Sequence, residues 1–267
     1  MKYCIISFFI YLSGLIYAQG NVDGFFKQKG EVDLAFSGTF SASNKYFRKN
    51  DVIDYDRAQA IIGVYGAYGI TNKWNVVLNL PLINFKPQDA AVFTKYHLVD
   101  VKRKKGDFTI APALGVSFPL SHYATQSGQA IGQRATIVQP KVLFQYKHKA
   151  NLFVQGQVGY NYTLDPVPSA TVASIKAGYI YKDWYFDAWF DYQYGIGGTD
   201  YGVAGADFRE LGVSYNKIGG VIYKSVGINS GVFLNGSYIF AGRNIGNAYT
   251  VGAGYVLKLQ TNKKSNE

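Results

Sequence analysis

The chain has 267 residues and one cysteine, Cys4, which lies close to the N-terminus. If the N-terminal stretch is removed on export, no thiol remains, and this excludes disulfides, thiolate metal sites and a cysteine nucleophile. The formal net charge of +10 comes mostly from isolated basic residues, apart from the run 102–105 and the pair at 263–264, so it favours phospholipid head groups over nucleic acid.

The first residues have the pattern of a secretory signal peptide. Lys2 supplies a positive charge, an uncharged stretch runs from Tyr3 to Tyr17, and the small residue Ala18 follows. This stretch is shorter than the ~20 apolar residues of a transmembrane helix, which an uncleaved anchor, the alternative, would need. We therefore predict a signal peptide over 1–18, a periplasmic segment over 19–30, a β-barrel over 31–258 and a polar tail over 259–267.

Segments in which polar and apolar residues alternate recur along the chain after the predicted signal peptide. In the clearest one, Trp184, Phe186 and Phe190 share one face, and Asp187 and Asp191 share the other. Twelve such segments span 31–40, 58–70, 74–83, 93–102, 107–118, 136–147, 152–162, 171–181, 184–194, 208–223, 232–240 and 248–258. Their length suits a tilted strand that crosses a membrane in ~9–11 residues. The pattern predicts an all-β fold, a transmembrane antiparallel up-and-down β-barrel of about 12 strands.

The predicted connections are of two kinds. Short ones cover 71–73, 104–106, 148–151 and 182–183, whereas long ones cover 41–57, 83–92, 119–135 and 195–207. Outer-membrane barrels have short periplasmic turns and long extracellular loops, and an even strand number places both termini on the periplasmic side. Closure into a ring is expected because an unpaired strand edge cannot be satisfied in hydrocarbon. A soluble β-sandwich is disfavoured, since glutamate occurs only at Glu31, Glu210 and Glu267.

Aromatic residues at the ends of the segments predict interfacial girdles at both rims of the barrel. The residues are Tyr68, Trp74, Tyr146, Tyr162, Tyr181, Trp184, Tyr194, Tyr223 and Tyr249.

The polar faces are predicted to line the lumen of the barrel. The candidate lumen-lining residues are Asp33, Asn75, Asn79, Asp107, Lys141, Gln155, Gln157, Lys176, Tyr185, Asp187, Trp189, Asp191 and Glu210. Both signs of charge occur among them, so the sequence predicts no strong ion selectivity. These groups could hydrogen-bond into a packed interior or line a path for a solute, because twelve strands fall between filled and water-filled barrels.

No arrangement of residues in the sequence predicts catalysis or metal binding. His97, His122 and His148 are isolated, and Ser121-His122 has no orienting acid at a readable spacing for a hydrolase triad. Carboxylates at positions 51, 54 and 56 could bind a divalent cation, but an acidic loop is the favoured interpretation because the glycine and terminal carboxylate of a calcium loop are missing. We predict no enzyme activity, no cofactor and no metal site.

One stretch resembles a known family. The run from Tyr68 through Thr71-Asn72-Lys73-Trp74 to Pro81, and the strand that ends at Ser117-Phe118-Pro119, are similar to the MetA-pathway phenol-degradation family of outer-membrane transporter-like β-barrels. The resemblance covers residues 58–120. It implies a barrel that acts in transport, with an association with aromatic compounds. It carries over no ligand-binding residue, since the matching positions form a turn.

The function predicted from these observations is a passive channel or transporter in the cell outer membrane for a small solute, with hydrophobic or aromatic compounds as one candidate class. The alternative is a non-conducting barrel that acts structurally or binds a partner through its long extracellular loops. The expected partners are outer-membrane lipid and a small-molecule solute, and nucleic acid is not expected. We expect the barrel to be a monomer.

Overall fold

The computed structural model describes residues 22–49, 51–125 and 130–261. The predicted signal peptide and residues 262–267 of the predicted C-terminal tail lie outside the described residues, and residues 259 and 260 of that tail belong to the last strand. The strands are β1 (Glu31–Arg48), β2 (Asp51–Gly69), β3 (Trp74–Ile83), β4 (Lys86–Pro87), β5 (Asp89–Tyr96), β6 (Val99–Lys102), β7 (Gly106–Pro119), β8 (Ile137–His148), β9 (Leu152–Thr163), β10 (Ala170–Tyr181), β11 (Trp184–Gly195), β12 (Ser214–Ser225), β13 (Ser230–Arg243), β14 (Ile245–Gly246) and β15 (Tyr249–Gln260). A 3-10 helix spans Phe208–Glu210.

The strands form one antiparallel sheet that closes on itself. β1 pairs with β2 on one side and with β15 on the other, and the remaining wall strands pair in chain order. β5 and β6 share one position in the wall, interrupted at His97 and Leu98, while β4 and β14 are two-residue additions. The predicted twelve-stranded up-and-down barrel is therefore confirmed. Within the described part of the chain, no helix is long and apolar enough to cross a membrane.

The apolar faces of the strands point outward, as predicted. On β1, Phe36 and Phe40 are 44% and 58% exposed, whereas Asp33, between the same neighbouring strands, is 7% exposed. Of the nine aromatic residues assigned to the girdles, eight are exposed on the outside. Tyr223 is the exception, because its place in the alternation of β12 turns it inward, where the absence of a side chain at Gly231 leaves room for its ring.

Two of the predicted long loops are wrong. β1 and β2 continue as a paired hairpin as far as Arg48 and Asp51, and only a short turn joins β3 to β4 and β5. The residues of this hairpin are polar, but polar residues pair their backbones as readily as apolar ones once a strand leaves the membrane. The three aspartates at 51, 54 and 56 therefore lie on a strand and not in an acidic loop, and Asp51 pairs with Arg48.

The two remaining long connections, whose described residues are 120–125, 130–136 and 196–213, lie at the end of the barrel opposite Glu31 and Gln260, where β1 begins and β15 ends. We call this end the long-loop end, and the end with the turns at 70–73, 103–105, 149–151, 182–183 and 226–229 the short-turn end. The predicted tenth strand, 208–223, began too early. β12 starts at Ser214, because residues 208–210 form the 3-10 helix of the preceding loop.

Candidate functional site

The inward rows of the wall carry almost all of the predicted lumen-lining side chains. Asp33, Asn75, Lys141, Gln155, Gln157, Lys176, Tyr185, Asp187 and Asp191 are each at most 9% exposed on those rows. Asn79, Asp107 and Trp189 lie on the same rows with partial exposure. The prediction was wrong for Glu210, which lies in the 3-10 helix of the loop 196–213 and not on a wall strand.

A segment outside the wall fills the lumen at the short-turn end. Residues 22–27 were expected to be periplasmic, but they run inside the barrel, where Val22, Asp23 and Phe25 are at most 5% exposed. The Val22 N–H donates to Gln157 Oε1 at 3.2 Å, and the Gly24 N–H donates to the side chain of Gln155 at 3.3 Å. Two predicted lumen residues therefore bind the backbone of this segment. We call residues 22–30 the N-terminal plug.

Asn75 fixes the middle of the plug by binding both backbone groups of one residue, Lys27. Its Oδ1 accepts from the N–H of Lys27 at 2.6 Å, and its Nδ2 donates to the carbonyl of the same residue at 3.0 Å. The Lys27 ammonium pairs with Asp33, and the Lys95 ammonium donates to the carbonyls of Asp23 and Phe25. The wall residues Asn75, Asp33 and Lys95 are all buried, so each contact replaces hydration that these polar groups have lost.

A network of buried charges joins the plug to the far wall. Lys176 Nζ lies 3.6 Å from Asp23 Oδ2 and 3.3 Å from Asp187 Oδ2. Asp187 also accepts from the Tyr185 hydroxyl at 2.7 Å and from the Val221 N–H at 2.9 Å. Buried charges persist only when they are paired and hydrogen-bonded. The cation therefore gains its second carboxylate only while the plug is in place.

Apolar contacts also hold the plug. The Phe25 ring meets the Phe153 ring edge-on at 5.0 Å, and Phe153 stacks on Tyr185 at 5.5 Å. Val22 joins the same buried cluster. Phe26 stacks on His97 at 4.9 Å. The lumen at this end is thus a small core, built jointly by the plug and the wall.

The turn between β2 and β3 docks the last residues of the plug. The Gly30 N–H donates to the Gly69 carbonyl at 2.8 Å, and the Lys29 N–H donates to Asn72 Oδ1 at 2.9 Å. Gly69 lies so close that a Cβ there would stand 2.0 Å from the Gln28 carbonyl oxygen. Asn72 and Gly69 belong to the stretch that resembles the phenol-degradation family. Sequence reasoning missed this role; the available signal was the pair Phe25 and Phe26 in a segment predicted to lie in water.

The two long loops meet across the opposite mouth of the barrel. The Gln133 amide donates to three carbonyls of residues 208–211, the shortest bond being 2.9 Å to Leu211, and Arg209 Nε donates to the Gln133 carbonyl at 3.2 Å. Tyr123, 3% exposed, donates to Asp89 on β5 at 2.5 Å. These contacts join residues 120–125, 130–136 and 196–213 into one surface, which we call the lid.

A second set of contacts ties the loop 196–213 to the rim. Asn244 donates to the carbonyls of Thr199 and Gly212, both at 3.0 Å, and accepts from the Tyr201 N–H at 3.0 Å. Arg243 Nε lies 2.6 Å from Asp200 Oδ1, and this hydrogen bond is the main reason why the pKa of the Asp200 carboxyl lies below its usual value. The lid is therefore anchored to β13 by both neutral and charged groups.

Beneath the lid lies a cavity of 260 Å³. Arg57, Gln59, Gln193 and Tyr215 line it from the wall, and Phe208 lines it from the lid. Lys217 reaches it from β12 and pairs with Asp191 at 3.3 Å. The interior therefore has two parts, a lumen filled by the plug at the short-turn end and a partly open cavity with both polar and apolar lining at the long-loop end.

The sequence raised Ser121 and His122 as candidates for hydrolysis, and the carboxylates at 51, 54 and 56 as candidates for metal binding. Ser121 Oγ donates to the Pro87 carbonyl at 2.5 Å, so its proton does not point to a base, and His122 is exposed. Across the residues that the structure describes, no three His, Cys, Asp or Glu side chains come close enough to hold a metal ion.

No protein-family model matches the chain, and no curated protein matches it. Solved structures do. The COG4313 outer membrane channel from Pseudomonas putida F1 matches with a TM-score of 0.68 at 10% identity, over 90% of this chain and 100% of that one. The NanC porin matches with 0.58 at 14% identity, over 85% and 100%, and the KdgM porin with 0.52 at 9% identity, over 83% and 98%. At such identities the likeness concerns the fold, and this chain therefore has the fold of the outer-membrane channel barrels.

Proposed function

We propose that this protein is a passive outer-membrane channel for small solutes, closed at its short-turn end by its own N-terminal plug. One observation carries the proposal: the polar lumen of a closed barrel with an oily exterior is filled by a segment that belongs to no wall strand. A barrel with a purely structural interior would be filled by its own wall side chains. We take the short-turn end to be periplasmic, as in other outer-membrane barrels.

Withdrawal of the plug would convert its binding partners into the lining of a passage. Gln155, Gln157 and Asn75 would lose backbone partners and face water, as would the Lys95 ammonium. Lys176 would keep Asp187 but lose Asp23, and Asp33 would lose Lys27, so withdrawal removes one ion-pair partner of each sign. We therefore infer little selectivity between anions and cations in the open state and little conductance in the closed state.

Conductance in planar bilayers tests the proposal. The chain from Gln19 onward should give rare, short openings, and a variant that lacks residues 19–27 should give a larger, steady conductance. The matched control lacks the C-terminal residues 262–267 and should behave like the parent chain. If the variant without the plug folds but passes no current, the channel function is wrong.

The stretch at 68–81 also bears on the class of solute. We infer a relationship to the MetA-pathway phenol-degradation family from the stretch at 68–81, and with it a hydrophobic or aromatic solute as one candidate class. The supporting observation is that Thr71 Oγ1, in the similar stretch, closes the turn by accepting from the N–H groups of Lys73 and Trp74 at 3.1 and 3.0 Å. Liposome uptake of phenol against glucose would test the class of solute.

The second candidate function is a non-conducting barrel that acts through its loops. The lid favours it, because the two loops are hydrogen-bonded into one surface at the long-loop end. Zero conductance in the variant without the plug, together with a partner that is lost when residues 198–206 are removed, would favour this function over the channel.

A further inference from the structure

The cavity beneath the lid contains neutral polar groups without partners. Within the described residues, the Tyr46 hydroxyl, Gln59 Nε2 and Gln193 Oε1 are buried and make no hydrogen bond. All three side chains line the cavity. Buried polar atoms are almost always satisfied in folded proteins, by protein groups or ordered water, and a bound molecule can take the place of that water. A hydroxyl, an amide donor and an amide acceptor around one space therefore suit a ligand that both donates and accepts hydrogen bonds.

The charged groups around the same cavity are already engaged. Arg57 donates to the Ala130 carbonyl of the lid, Lys217 pairs with Asp191, and Asp89 accepts from the hydroxyl of Tyr123. Arg57 and Asp89 hydrogen-bond neutral groups and bring one charge of each sign, and Asp191 balances Lys217, so the charges at the cavity sum to zero. An ionic solute would add a net charge to a site that is already balanced, which costs free energy there. The buried groups still without partners are neutral, which favours a neutral solute.

The size and the apolar lining of the cavity restrict the solute further. Its volume of 260 Å³ falls below the ~300–1,000 Å³ of pockets for drug-sized ligands, so only a small molecule fits. Phe208, Ile83 and Ile239 add apolar surface to the lining of the same cavity. A flat or ring-shaped solute with hydroxyl groups on its edge would satisfy both surfaces at once.

We propose that the cavity beneath the lid is a binding site for a small neutral hydroxylated ring, which the channel takes up from the long-loop side. This inference rests on the proposed channel function and deepens it by naming the class of solute. A saturated sugar ring and a hydroxylated aromatic ring share this chemistry.

Calorimetric titration of the barrel in nanodiscs tests the site without any current. The probes are methyl glucoside, phenol and glucuronate, the last of which adds a carboxylate to the saturated ring. We expect saturable binding of one or both neutral probes and at least tenfold weaker binding of glucuronate. The neutral probe that saturates at the lower concentration shows whether the site prefers a saturated sugar ring or a hydroxylated aromatic ring.

Two variants locate the binding. Tyr46→Phe removes only a hydroxyl and should weaken the neutral probe about tenfold, which corresponds to about 1.4 kcal/mol. Gln59→Leu should do the same. Tyr55→Phe is the matched control, because the centroid of the Tyr55 ring lies 5.4 Å from that of Tyr46 but Tyr55 does not line the cavity. This variant should leave binding unchanged.

Three results would overturn the site: no saturation by any probe, tighter binding of glucuronate than of both neutral rings, or equal affinity in Tyr46→Phe and the parent chain. Each leaves the channel function standing if conductance without the plug is observed. Conversely, saturable binding of a neutral ring by a barrel that never conducts would support the site and overturn the channel.

Discussion

Single glycines decide whether the plug can seat in the barrel. A Cβ at Gly69 would stand 2.0 Å from the Gln28 carbonyl oxygen, closer than any non-bonded contact tolerates, and that neighbour is backbone that cannot rotate away. We predict that Gly69→Ala displaces the plug while the wall strands stay paired. Trypsin should then cleave after Lys27, which is 8% exposed in the parent chain, at least tenfold faster. Mass spectrometry of the fragments measures the rate.

Gly38→Ala is the control for this substitution. Gly38 lies on β1, and a Cβ added there meets no atom within 4 Å. The same chemical change should therefore leave cleavage after Lys27 at the rate of the parent chain. Equal acceleration by both variants would mean that the loss of a glycine loosens the wall, and the steric account of the plug would be wrong.

Asn75 tests the polar side of the same contact. Asn75→Ala leaves the N–H and the carbonyl of Lys27 without partners in a buried place, at a cost of about 1–3 kcal/mol for each group. We predict that hydrogen exchange at the Lys27 amide rises more than tenfold, while exchange in β7 and β8 stays unchanged. Acceleration throughout the barrel would instead assign Asn75 to the stability of the wall.

At the scale of elements, alternation predicted the strands well and composition predicted the loops badly. The third predicted segment, 74–83, coincides with β3, and the segments at 152–162 and 184–194 are each one residue short. The stretch 41–57 was expected to be a loop because its residues are polar. It is a hairpin, since backbone pairing between β1 and β2 continues beyond the membrane, where no oily face is needed to mark it.

The anchor of the lid should depend on pH. Because the Arg243 guanidinium holds the pKa of Asp200 below its ordinary value of ~3.9, the contact stabilises the loop above that pH and is lost as the pH falls through the lower folded value. We predict that a spin label at Val203→Cys is immobile at neutral pH and becomes mobile in acid. In Arg243→Gln the label should already be mobile at pH 7.

A label at Val226→Cys, in a turn at the short-turn end, controls for general acid unfolding and should not change over the same range. The measurement uses the chain from Gln19, which has no other cysteine. If the label at position 203 stays immobile as the pH falls through the titration of Asp200, the neutral contacts of Asn244 and Gln133 hold the loop without the ion pair.

At the scale of the whole molecule, the sequence predicted a closed barrel but not what fills it. Closure follows from the alternation of every strand, which is a local property that can be read residue by residue. The plug depends on contacts between Asp23 and Lys176 and between Lys27 and Asn75, which lie far apart in sequence and show no period. The same holds for the lid, whose contacts through Gln133 join two loops 75 to 78 residues apart.

The last prediction concerns the contact between the outer face of the barrel and lipid. Leu234 is 62% exposed on the outer face of β13, near the middle of the stretch that crosses the membrane, and Val52 is 52% exposed on β2. β2 has 19 residues, roughly twice the ~9–11 that span a membrane, and Val52 lies in the part beyond it. Leu234→Arg should lower the free energy of unfolding in liposomes by about 2–4 kcal/mol, as a charge at the bilayer midplane does. Val52→Arg should change it by less than about 0.5 kcal/mol, as a substitution at a water-exposed surface does. Guanidinium titration followed by tryptophan fluorescence measures both, and equal losses would show that the outer face of β13 does not contact lipid.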